Sequence, residues 1–467
     1  MTDRSLIDAS LKDRLANLVK KHCPAPSSTS DAPVQKPTLA DIGGMREARL
    51  WGEALARDLA DYAAGKISWD EIDRGAILYG PPGTGKTMFV MALAETCGVR
   101  LIATSFANWI DNGDGCLGDV ISAIKRDFNE ASPGPCILFI DELDSLPTRK
   151  SGQRGDDWWA SVVNAILTEM GGIAGVHGVI VIAACNHFSK LDPALLRAGR
   201  LEKHIPVSLP TLDDLPGVIR FHLSSDEARR LGDLKPIAVM CQGMTPADVG
   251  RLVREARRNA RTWKHSLRPK DFLAALESGT RDAAQDWRVA IHEAGHAVAG
   301  LSLGAAKEIH VSIVGVKGSL GVSAIEYLPV VITQKVVFDH LTILLSGRAA
   351  EQIILGEVGA GSGGDEQSDL ARANRLAWQA VTEMGFSKRS PLRWCGTALS
   401  PEFRLAENAI SKEVDELLAC AYEASLTLVS ENRGRIEAVA TALVDARALT
   451  CSAIRKVMSN VPGSHSS

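Results

Sequence analysis

The sequence lacks a long hydrophobic run, an apolar leader and closely paired cysteines. No apolar run approaches the ~18–20 residues that a membrane-spanning helix needs, and the N-terminus has no apolar segment of the kind found in signal peptides. The nine cysteines are odd in number and form no Cys-x-x-Cys pair, which predicts free thiols in a reducing compartment. We therefore expect a soluble, cytoplasmic protein.

An excess of charge of either sign is also missing. The chain carries 52 basic and 56 acidic side chains among its 467 residues, for a formal net charge of −4. A protein that binds nucleic acid favours a strongly basic face, so we expect no nucleic-acid partner. Apolar residues make up 45% of the chain. That share is enough for ordinary globular cores, and the length predicts about three domains.

The pattern of apolar residues divides the chain into five segments. Residues 1–38 combine a short amphipathic helix with a linker rich in Pro and Ser. Residues 39–210 alternate short apolar strands with helices, which predicts an α/β domain whose parallel sheet is covered on both faces. Residues 211–282 are helical and rich in Arg, residues 283–460 are mostly helical, and residues 461–467 form a tail.

The N-terminal helix has two possible contacts. Ile7, Leu11, Leu15 and Leu18 recur three or four residues apart and form an apolar stripe. Such a stripe packs on the protein's own oligomer or on a partner protein. Because basic residues flank the stripe, the alternative is a peripheral contact with a membrane surface, such as the inner membrane. The sequence leaves both contacts open.

A glycine-rich loop lies between the predicted strand Ala76–Tyr79 and the predicted helix Met88–Ala94. Strand, loop and helix in this order are the context of a phosphate-binding loop. Its glycines let backbone N–H groups surround phosphate oxygens, and the helix N-terminus adds partial positive charge. We expect Lys86 to reach the β- and γ-phosphates of ATP and the Thr87 hydroxyl to bind Mg²⁺. The loop consists of Gly80, Pro81, Pro82, Gly83, Thr84, Gly85, Lys86 and Thr87.

Two carboxylates follow the predicted strand Ile137–Ile140. The carboxyl end of a strand in an open α/β sheet faces the ligand crevice. Asp141 is therefore expected to hold Mg²⁺ through water, and Glu142 to orient and polarise the attacking water. Beside a phosphate-binding loop, this pair predicts nucleotide hydrolysis rather than binding alone.

The first domain resembles the AAA+ ATPases. Leu39–Gly44 is similar to the segment that lies beside the adenine in that family, which places Ile42 and Gly43 at the nucleotide. Asn186, after the predicted strand at 179–184, matches the sensor-1 position and is expected to place the attacking water. Leu191–Arg200 matches the second region of homology.

The resemblance also implies an assembly. In that family, two arginines of the second region of homology act across a subunit boundary, so Arg197 and Arg200 are expected to touch the γ-phosphate of a neighbouring protomer. A homo-oligomeric ring, with a hexamer as the expected size, follows. In the helical segment, Thr245 is expected to cap a helix that has Pro246 in its first turn and Asp248 near its positive end.

A second motif, His292–His296, lies on the predicted helix from Asp286 to about Leu303. The two histidines are four residues apart and project from one helix face, so each can give one nitrogen to Zn²⁺. Glu293 lies beside the first histidine and is expected to act as the general base on water. A catalytic zinc also needs a third protein ligand.

Residues 283–390 resemble the peptidase domain of the FtsH-type membrane-anchored proteases. Three blocks carry the resemblance: Ala290–Ala297, Ser346–Glu351 and Ser368–Leu370. The register of the third block implies Asp369 as the third zinc ligand. The competing acids are Asp365, Glu366 and Glu351, of which Glu351 is interpreted as a partner for the free N–H of a zinc-bound histidine.

The chain departs from this family in three places. It has no spanning helices in the sequence given. Its pore segment, Phe106–Gly113, lacks the usual aromatic, small residue and Gly; Trp109 is the first candidate for gripping substrate, followed by Ile110, while Phe106 is expected in the core. Ile313–Gly318 replaces a Pro-Arg-Gly element.

The alternating stretch Ile309–Ile325 predicts an edge strand that pairs with extended substrate or an ordinary sheet strand.

The sequence thus predicts an ATP-dependent zinc endopeptidase with an α/β AAA+ core, a helical lid and a mostly helical peptidase domain. The expected cofactors are ATP, Mg²⁺ and one Zn²⁺ per subunit, and the expected substrates are unfolded or tagged proteins. The alternative is an ATP-driven remodelling factor whose peptidase domain is weak or inactive.

Overall fold

The computed structural model describes residues 37–111, 116–132, 134–146, 156–172, 178–276, 282–314, 321–328, 331–364, 366, 368–394 and 401–461. The predicted N-terminal helix and nearly all of the tail lie outside these residues. The described part forms an α/β core, a helical lid and a C-terminal region. The elements of the core are α1 (Arg46–Ala63), β1 (Gly75–Tyr79), α2 (Lys86–Cys97), β2 (Arg100–Ser105), α3 (Phe106–Asp111), α4 (Leu117–Ala131), β3 (Cys136–Asp141), α5 (Asp156–Gly172), β4 (Val179–Cys185) and β5 (Lys203–Pro206).

The core is built on a parallel five-stranded sheet in the order β2-β3-β4-β1-β5. Side chains alternate between its faces. In β3, Ile137 and Phe139 pack with α1 and α2, whereas Leu138 and Ile140 pack with α4 and α5. Both faces are covered, which is why the three central strands β1, β3 and β4 are apolar at nearly every position. The predicted α/β class is confirmed.

The lid follows the core and contains helices only among its described residues, 211–276. Its longest helix begins with the predicted cap: Thr245 Oγ1 accepts a hydrogen bond from Asp248 N at 3.1 Å, and Asp248 Oδ2 accepts one from Thr245 N at 3.2 Å. The elements of the lid are α6 (Leu215–His222), α7 (Ser225–Leu231), α8 (Lys235–Met240), α9 (Pro246–Thr262) and α10 (Pro269–Leu276).

The C-terminal region packs helices around one small sheet. Its first two helices approach closely, because a Cβ at Gly295 would lie only 2.7 Å from Ser346 O and 2.8 Å from Ala350 Cβ. The elements are α11 (Ala283–Ser302), β6 (Ala306–Ser312), β7 (Val322–Tyr327), α12 (Gln334–Ala350), α13 (Asp369–Thr382), α14 (Pro401–Glu431), α15 (Arg433–Ala446), β8 (Ala448–Leu449) and α16 (Cys451–Ser459).

The small sheet contains both kinds of strand that the sequence left open for the stretch Ile309–Ile325. The stretch contributes to two antiparallel strands of a sheet in the order β7-β6-β8, and pairing of the edge strand with substrate stays a prediction. β6 is paired on both sides, and β7 forms an edge. The pattern missed β8 because a strand of two residues, Ala448–Leu449, carries no alternation that a reader can recognise. The end of β6 also reaches the lid, because Val314 is buried in the lid's apolar cluster.

Two further expectations concern the surface. Trp109 was the first candidate for gripping substrate, and this is wrong in the structure: the side chain is 0% exposed, and Nε1 donates to Asp127 Oδ2 at 2.7 Å. Its position on α3 turns the ring into the core beside Phe106. Ile110 is partly buried, and residues 112 and 113 lie outside the described residues.

No helix among the described residues has the length and apolar character needed to cross a membrane.

Candidate nucleotide and metal sites

The phosphate-binding loop leaves the carboxyl end of β1 and enters α2. Its glycines are required by the backbone: Gly85 has φ of 94°, and a Cβ at Gly80 would lie 2.0 Å from Val207 O. Lys86 is buried, and its Nζ donates to Gly80 O at 2.7 Å and to Asn186 Oδ1 at 2.8 Å. Burial lowers the pKa of Lys86, an effect that nearby acidic groups oppose. The loop lysine and the predicted sensor Asn186 therefore belong to one network.

The carboxylates after β3 complete this network. Thr87 Oγ1 donates to Asp141 Oδ2 at 2.8 Å, so the two predicted Mg²⁺ residues are adjacent. Glu142 is exposed and has φ of 53°. A left-handed glutamate is a strained conformation of the kind that clusters at functional sites. The predicted water-polarising residue is thus exposed directly after the carboxyl end of β3.

Sequence reasoning missed Asp144. One of its oxygens, Oδ2, accepts hydrogen bonds from Asn186 N at 3.1 Å and His187 N at 2.9 Å. A carboxylate that accepts two backbone N–H groups holds a loop firmly. The sequence offered a signal for this role, since Asp144 lies only three residues after the predicted Mg²⁺ residue Asp141. Asp144 therefore fixes the position of the sensor segment.

The remaining predicted nucleotide residues lie where the core meets the lid. Ile42 is buried in the core, and a Cβ at Gly43 would lie 2.8 Å from Val218 N of α6. Ala247 N at the start of α9 donates to Gly83 O at 3.3 Å. The phosphate-binding loop thus touches the lid directly.

The two predicted trans-acting arginines lie in the segment between β4 and β5. Arg197 is exposed, whereas Arg200 is partly buried and donates through Nη1 to Ala194 O at 2.6 Å. Their contact with a neighbouring protomer concerns a second chain and stays a prediction.

The second site brings together His292, His296 and Asp369. The histidines come from α11 and the aspartate from the first position of α13. Asp369 Oδ2 lies 3.0 Å from His292 Nε2 and 3.2 Å from His296 Nε2, and the two Nε2 atoms are 3.2 Å apart. In a tetrahedral zinc site with bonds of about 2.0–2.2 Å, ligand atoms are about 3.3–3.6 Å apart. The triangle is close to that size.

The hydrogen bonds of the two Nδ1 atoms show that the Nε2 atoms of both histidines face the centre of the cluster. His296 Nδ1 donates to Ile343 O at 2.8 Å, and His292 Nδ1 donates to Glu351 Oε1 at 2.8 Å. A ring that is neutral, as metal binding requires, therefore presents its Nε2 lone pair to the centre of the cluster. Two lone pairs and a carboxylate oxygen converge, and this donor set fits a cation.

Gly347 makes room for this cluster. A Cβ at this position of α12 would lie 2.5 Å from His296 Nε2 and 2.7 Å from His292 Nε2. Any larger residue would occupy the space between the rings. Gly347 lies in the block Ser346–Glu351, but the sequence pattern by itself does not reveal its role.

Glu351 holds His292 and is itself held by other groups. Its Oε2 accepts from Arg288 Nη1 at 2.9 Å and from Gly359 N at 2.8 Å. Burial would raise the pKa of Glu351, but these bonds and the one from His292 lower it to about 2. Burial likewise opposes charge on His292, yet Asp369 and Glu351 raise its pKa to about 10. The surroundings of the ring favour positive charge, whether from a proton or from a metal.

The position of Glu351 agrees with its predicted role as a histidine partner. Arg288, one turn before His292 on α11, was missed although the spacing places both on one face. Glu366 is exposed, and Asp365 lies outside the described residues. Among the described acids, Asp369 is the one that completes the cluster.

Glu293 is buried beside the cluster. Among the described residues, its Oε2 has no hydrogen-bond partner. Burial raises the pKa of Glu293, an effect that His292 and His296 oppose. Gly321 approaches closely, since a Cβ there would lie 2.5 Å from Glu293 Oε1. A buried carboxylate with an unpaired oxygen is suited to accept a proton from a water molecule.

Together these features define a class of protein, one that joins an ATPase of the parallel-sheet type to a metal-dependent hydrolase. Residues 76–209 match the family model described as ATPase family associated with various cellular activities (AAA), and residues 280–457 match Peptidase family M41.

Curated relatives agree with both matches. The ATP-dependent zinc metalloprotease FtsH 1 of Symbiobacterium thermophilum is 33% identical over 447 residues, covering 91% of this chain and 73% of the relative. FtsH 2 of Methylacidiphilum infernorum is 30% identical, covering 92% and 72%. FtsH of Bacillus subtilis is 31% identical, covering 83% and 64%.

The chain belongs to the FtsH family of ATP-dependent zinc metalloproteases. The expected cofactors, Zn²⁺, ATP and Mg²⁺, are those of this family. Its members act on protein substrates as oligomers.

Proposed function

We propose that this chain uses ATP hydrolysis to move unfolded polypeptides to a zinc site that cleaves them. The observation that carries the proposal is the convergence of two histidine lone pairs and one aspartate oxygen within 3.2 Å of one another. An inactive peptidase remnant would have no need to keep this cluster beside a buried Glu293. The cluster therefore favours the protease over the remodelling factor.

The nucleotide roles follow from the contacts. Lys86 binds the β- and γ-phosphates, while Thr87 and Asp141 hold Mg²⁺. Glu142 polarises the attacking water, and Asn186 positions it. Ile42 and Gly43 bind the adenine between core and lid. This assignment is supported by the hydrogen bonds that already join the loop, the end of β3 and the end of β4.

In the peptidase site, His292, His296 and Asp369 would hold the zinc. When bound, zinc supplies a Lewis acid that activates water and polarises a peptide carbonyl. Glu293 accepts the proton of the attacking water at its unpaired Oε2 and passes it to the leaving amine nitrogen. Glu351 and Arg288 keep the His292 ring in the required tautomer.

The proposed assembly is a hexameric ring. Arg197 and Arg200 would complete the nucleotide site of the neighbouring protomer, so ATP turnover depends on assembly. The N-terminal helix would dock on the ring or on the inner membrane surface, and a cytoplasmic location stays a prediction. The proposed domains are residues 1–38, 39–210, 211–282, 283–460 and 461–467.

Degradation of casein by the purified full chain with ATP and zinc tests the proposal. Glu293→Gln should stop cleavage and spare ATP turnover, whereas Glu142→Gln should stop both. Glu416→Gln, which changes an exposed carboxylate paired with Arg389, is the matched control and should behave as the wild type. Equal cleavage by wild type and Glu293→Gln would refute the peptidase role. ATP turnover without cleavage in the zinc-loaded wild type would establish the remodelling factor instead.

A further inference from the structure

Two arginines, Arg288 and Arg372, line the cleft that contains the metal cluster. The cleft has a volume of about 1320 Å³, larger than the about 300–1,000 Å³ of pockets for small molecules, so it can take a segment of polypeptide. Arg288 Nη1 donates to Glu351 Oε2 at 2.9 Å, and the same guanidinium pairs with Glu357. The charge of Arg288 is therefore balanced by two carboxylates of the protein.

Arg372 lies on α13 and is paired much more weakly. Its Nη1 is 3.8 Å from Asp369 Oδ1, and its side chain is 43% exposed. Hydrogen bonds from nitrogen to oxygen span about 2.7–3.2 Å, so this contact is an ion pair without a hydrogen bond. To the described residues the guanidinium donates no hydrogen bond, although every guanidinium carries several N–H donors. Arg372 therefore offers unused donors and positive charge to a group that enters the cleft.

Asp369 sets the distance between Arg372 and the metal cluster. Its Oδ2 lies 3.0 Å from His292 Nε2 and 3.2 Å from His296 Nε2, whereas its Oδ1 faces Arg372. A single carboxylate group thus separates the guanidinium from the cluster. Because the arginine side chain is long, a polypeptide held at the cluster brings the side chains next to its scissile bond within reach of Arg372.

Most other charged groups along the cleft are acidic. Asp213 of the lid, Glu308 of β6 and Glu326 of β7 line it, and like charges repel an acidic side chain. Among the described residues that line the cleft, Arg372 is the one arginine or lysine that protein carboxylates leave without a hydrogen bond. An acidic side chain of a bound polypeptide therefore has one favourable position, beside Arg372.

The structure assigns Arg372 as a specificity-determining residue, whose guanidinium binds the carboxylate of an Asp or Glu side chain at one position beside the scissile bond. A planar guanidinium matches a carboxylate through two parallel hydrogen bonds. The assignment rests on the proposed function, because it names a substrate preference of the same peptidase cleft. The cleft then favours an acidic residue at that position, a selectivity that the metal cluster and Glu293 do not provide.

Fluorogenic peptides of about ten residues, which extend over about 33–36 Å, test the assignment. Their ends are blocked, and each position next to the cleaved bond carries Glu, Gln or Lys in turn. With the full chain, zinc and ATP, we expect kcat/KM for Glu to exceed that for Gln about three- to tenfold at one position. Arg372→Gln should abolish this preference, and Arg372→Glu should make Lys the preferred residue there.

The controls separate substrate recognition from an effect on the metal site. Arg375→Gln changes an exposed arginine of the same helix that donates to Glu366 O at 2.9 Å and does not line the cleft, and it should match the wild type. Zinc content should be the same in all these proteins. Binding of labelled peptides, measured by fluorescence anisotropy in the Glu293→Gln background, should show the same preference for Glu without any cleavage.

The possible outcomes are distinguishable. An equal loss of kcat/KM for the Glu, Gln and Lys peptides in Arg372→Gln, or an unchanged preference for Glu, would overturn the assignment while the proposed function stands. A Gln peptide with a free C-terminus that is preferred as strongly as the blocked Glu peptide would also overturn it. If the zinc-loaded wild type cleaves none of the peptides, the proposed function fails, and anisotropy still decides the role of Arg372. Should Arg372→Glu lose zinc, Arg372→Gln decides the question.

Discussion

The two sites of this chain are built on opposite electrostatic principles. In the nucleotide site, protein groups of opposite polarity are paired with each other, as Lys86 is with Asn186 and Thr87 is with Asp141. In the metal site, three acceptor atoms face one another, and positive charge from a proton or a bound cation relieves their repulsion. The first site is thus satisfied by protein groups alone, whereas the second needs an added positive charge.

The two sites also differ in their exposure to solvent. The nucleotide residues lie at the carboxyl edge of a sheet, where Thr87 and Glu142 are exposed. The metal residues lie between packed helices, where His296 is 2% exposed. Perturbing the metal site should therefore have larger and more localised effects, and the predictions below are ordered accordingly.

Gly347→Ala should have the largest effect, because its Cβ would lie among the atoms that hold the metal. We expect loss of zinc and of proteolysis by more than the about 10–100-fold typical of changes in partners of metal ligands. Metal analysis and casein cleavage measure it. Gly300→Ala, on α11, meets its neighbours at an ordinary 3.4 Å and is the control. Full zinc content in Gly347→Ala would show that the space is not needed.

Glu351→Gln should have the second-largest effect, since it removes the carboxylate that orients His292. Zinc affinity, measured by chelator competition, should fall about 10–100-fold, while ATP turnover remains at the wild-type level. Unchanged zinc affinity would mean that the ring is held by packing alone.

Asp144→Ala is the equivalent change in the nucleotide site, because it too removes a carboxylate that holds a functional residue in place. Loss of the carboxylate that holds the backbone of Asn186 and His187 should lower kcat for ATP about tenfold, because hydrogen bonds to a charged group contribute about 1.5–3 kcal/mol. KM for ATP should change little, and zinc content should not change. Equal losses in kcat and nucleotide binding would indicate a general disruption of the core instead.

The smallest effect is expected at an ion pair of the lid. Arg257 donates to Glu227 and lowers its pKa to about 2, with burial opposing. Because the folded pKa lies below the ordinary 4.5, this stabilisation is present at neutral pH and is lost as pH falls from about 4.5 towards about 2. Glu227→Gln should cost about 1 kcal/mol at pH 7 and progressively less in acid, by chemical denaturation. A pH-independent difference would contradict the assignment.

The nucleotide site was readable from the sequence because its parts are contiguous or follow apolar strands. Gly80 to Thr87 is one uninterrupted segment, Asp141 is the last residue of β3, and Asn186 directly follows β4. The metal site was readable only in part. His292 and His296 share a helix, but Asp369 is 77 residues from His292, and it was found through resemblance rather than through spacing.

Other features depend on contacts that a linear pattern does not contain. The role of Gly347 depends on helix packing. The role of Asp144 depends on its hydrogen bond with the backbone of Asn186, 42 residues away in the sequence. The expectation for Trp109 was wrong because an aromatic residue near a loop has the same sequence signature whether it points into the core or into solvent. The complete burial of the side chain and its hydrogen bond to Asp127 distinguish the two.

The most direct test of the account is the zinc content of the purified full chain beside that of Asp369→Ala, with ATP turnover measured on both. We expect one zinc per chain in the wild type, little or none in the variant, and ATP turnover in both. Equal zinc in the two proteins would contradict the claim that His292, His296 and Asp369 hold the metal.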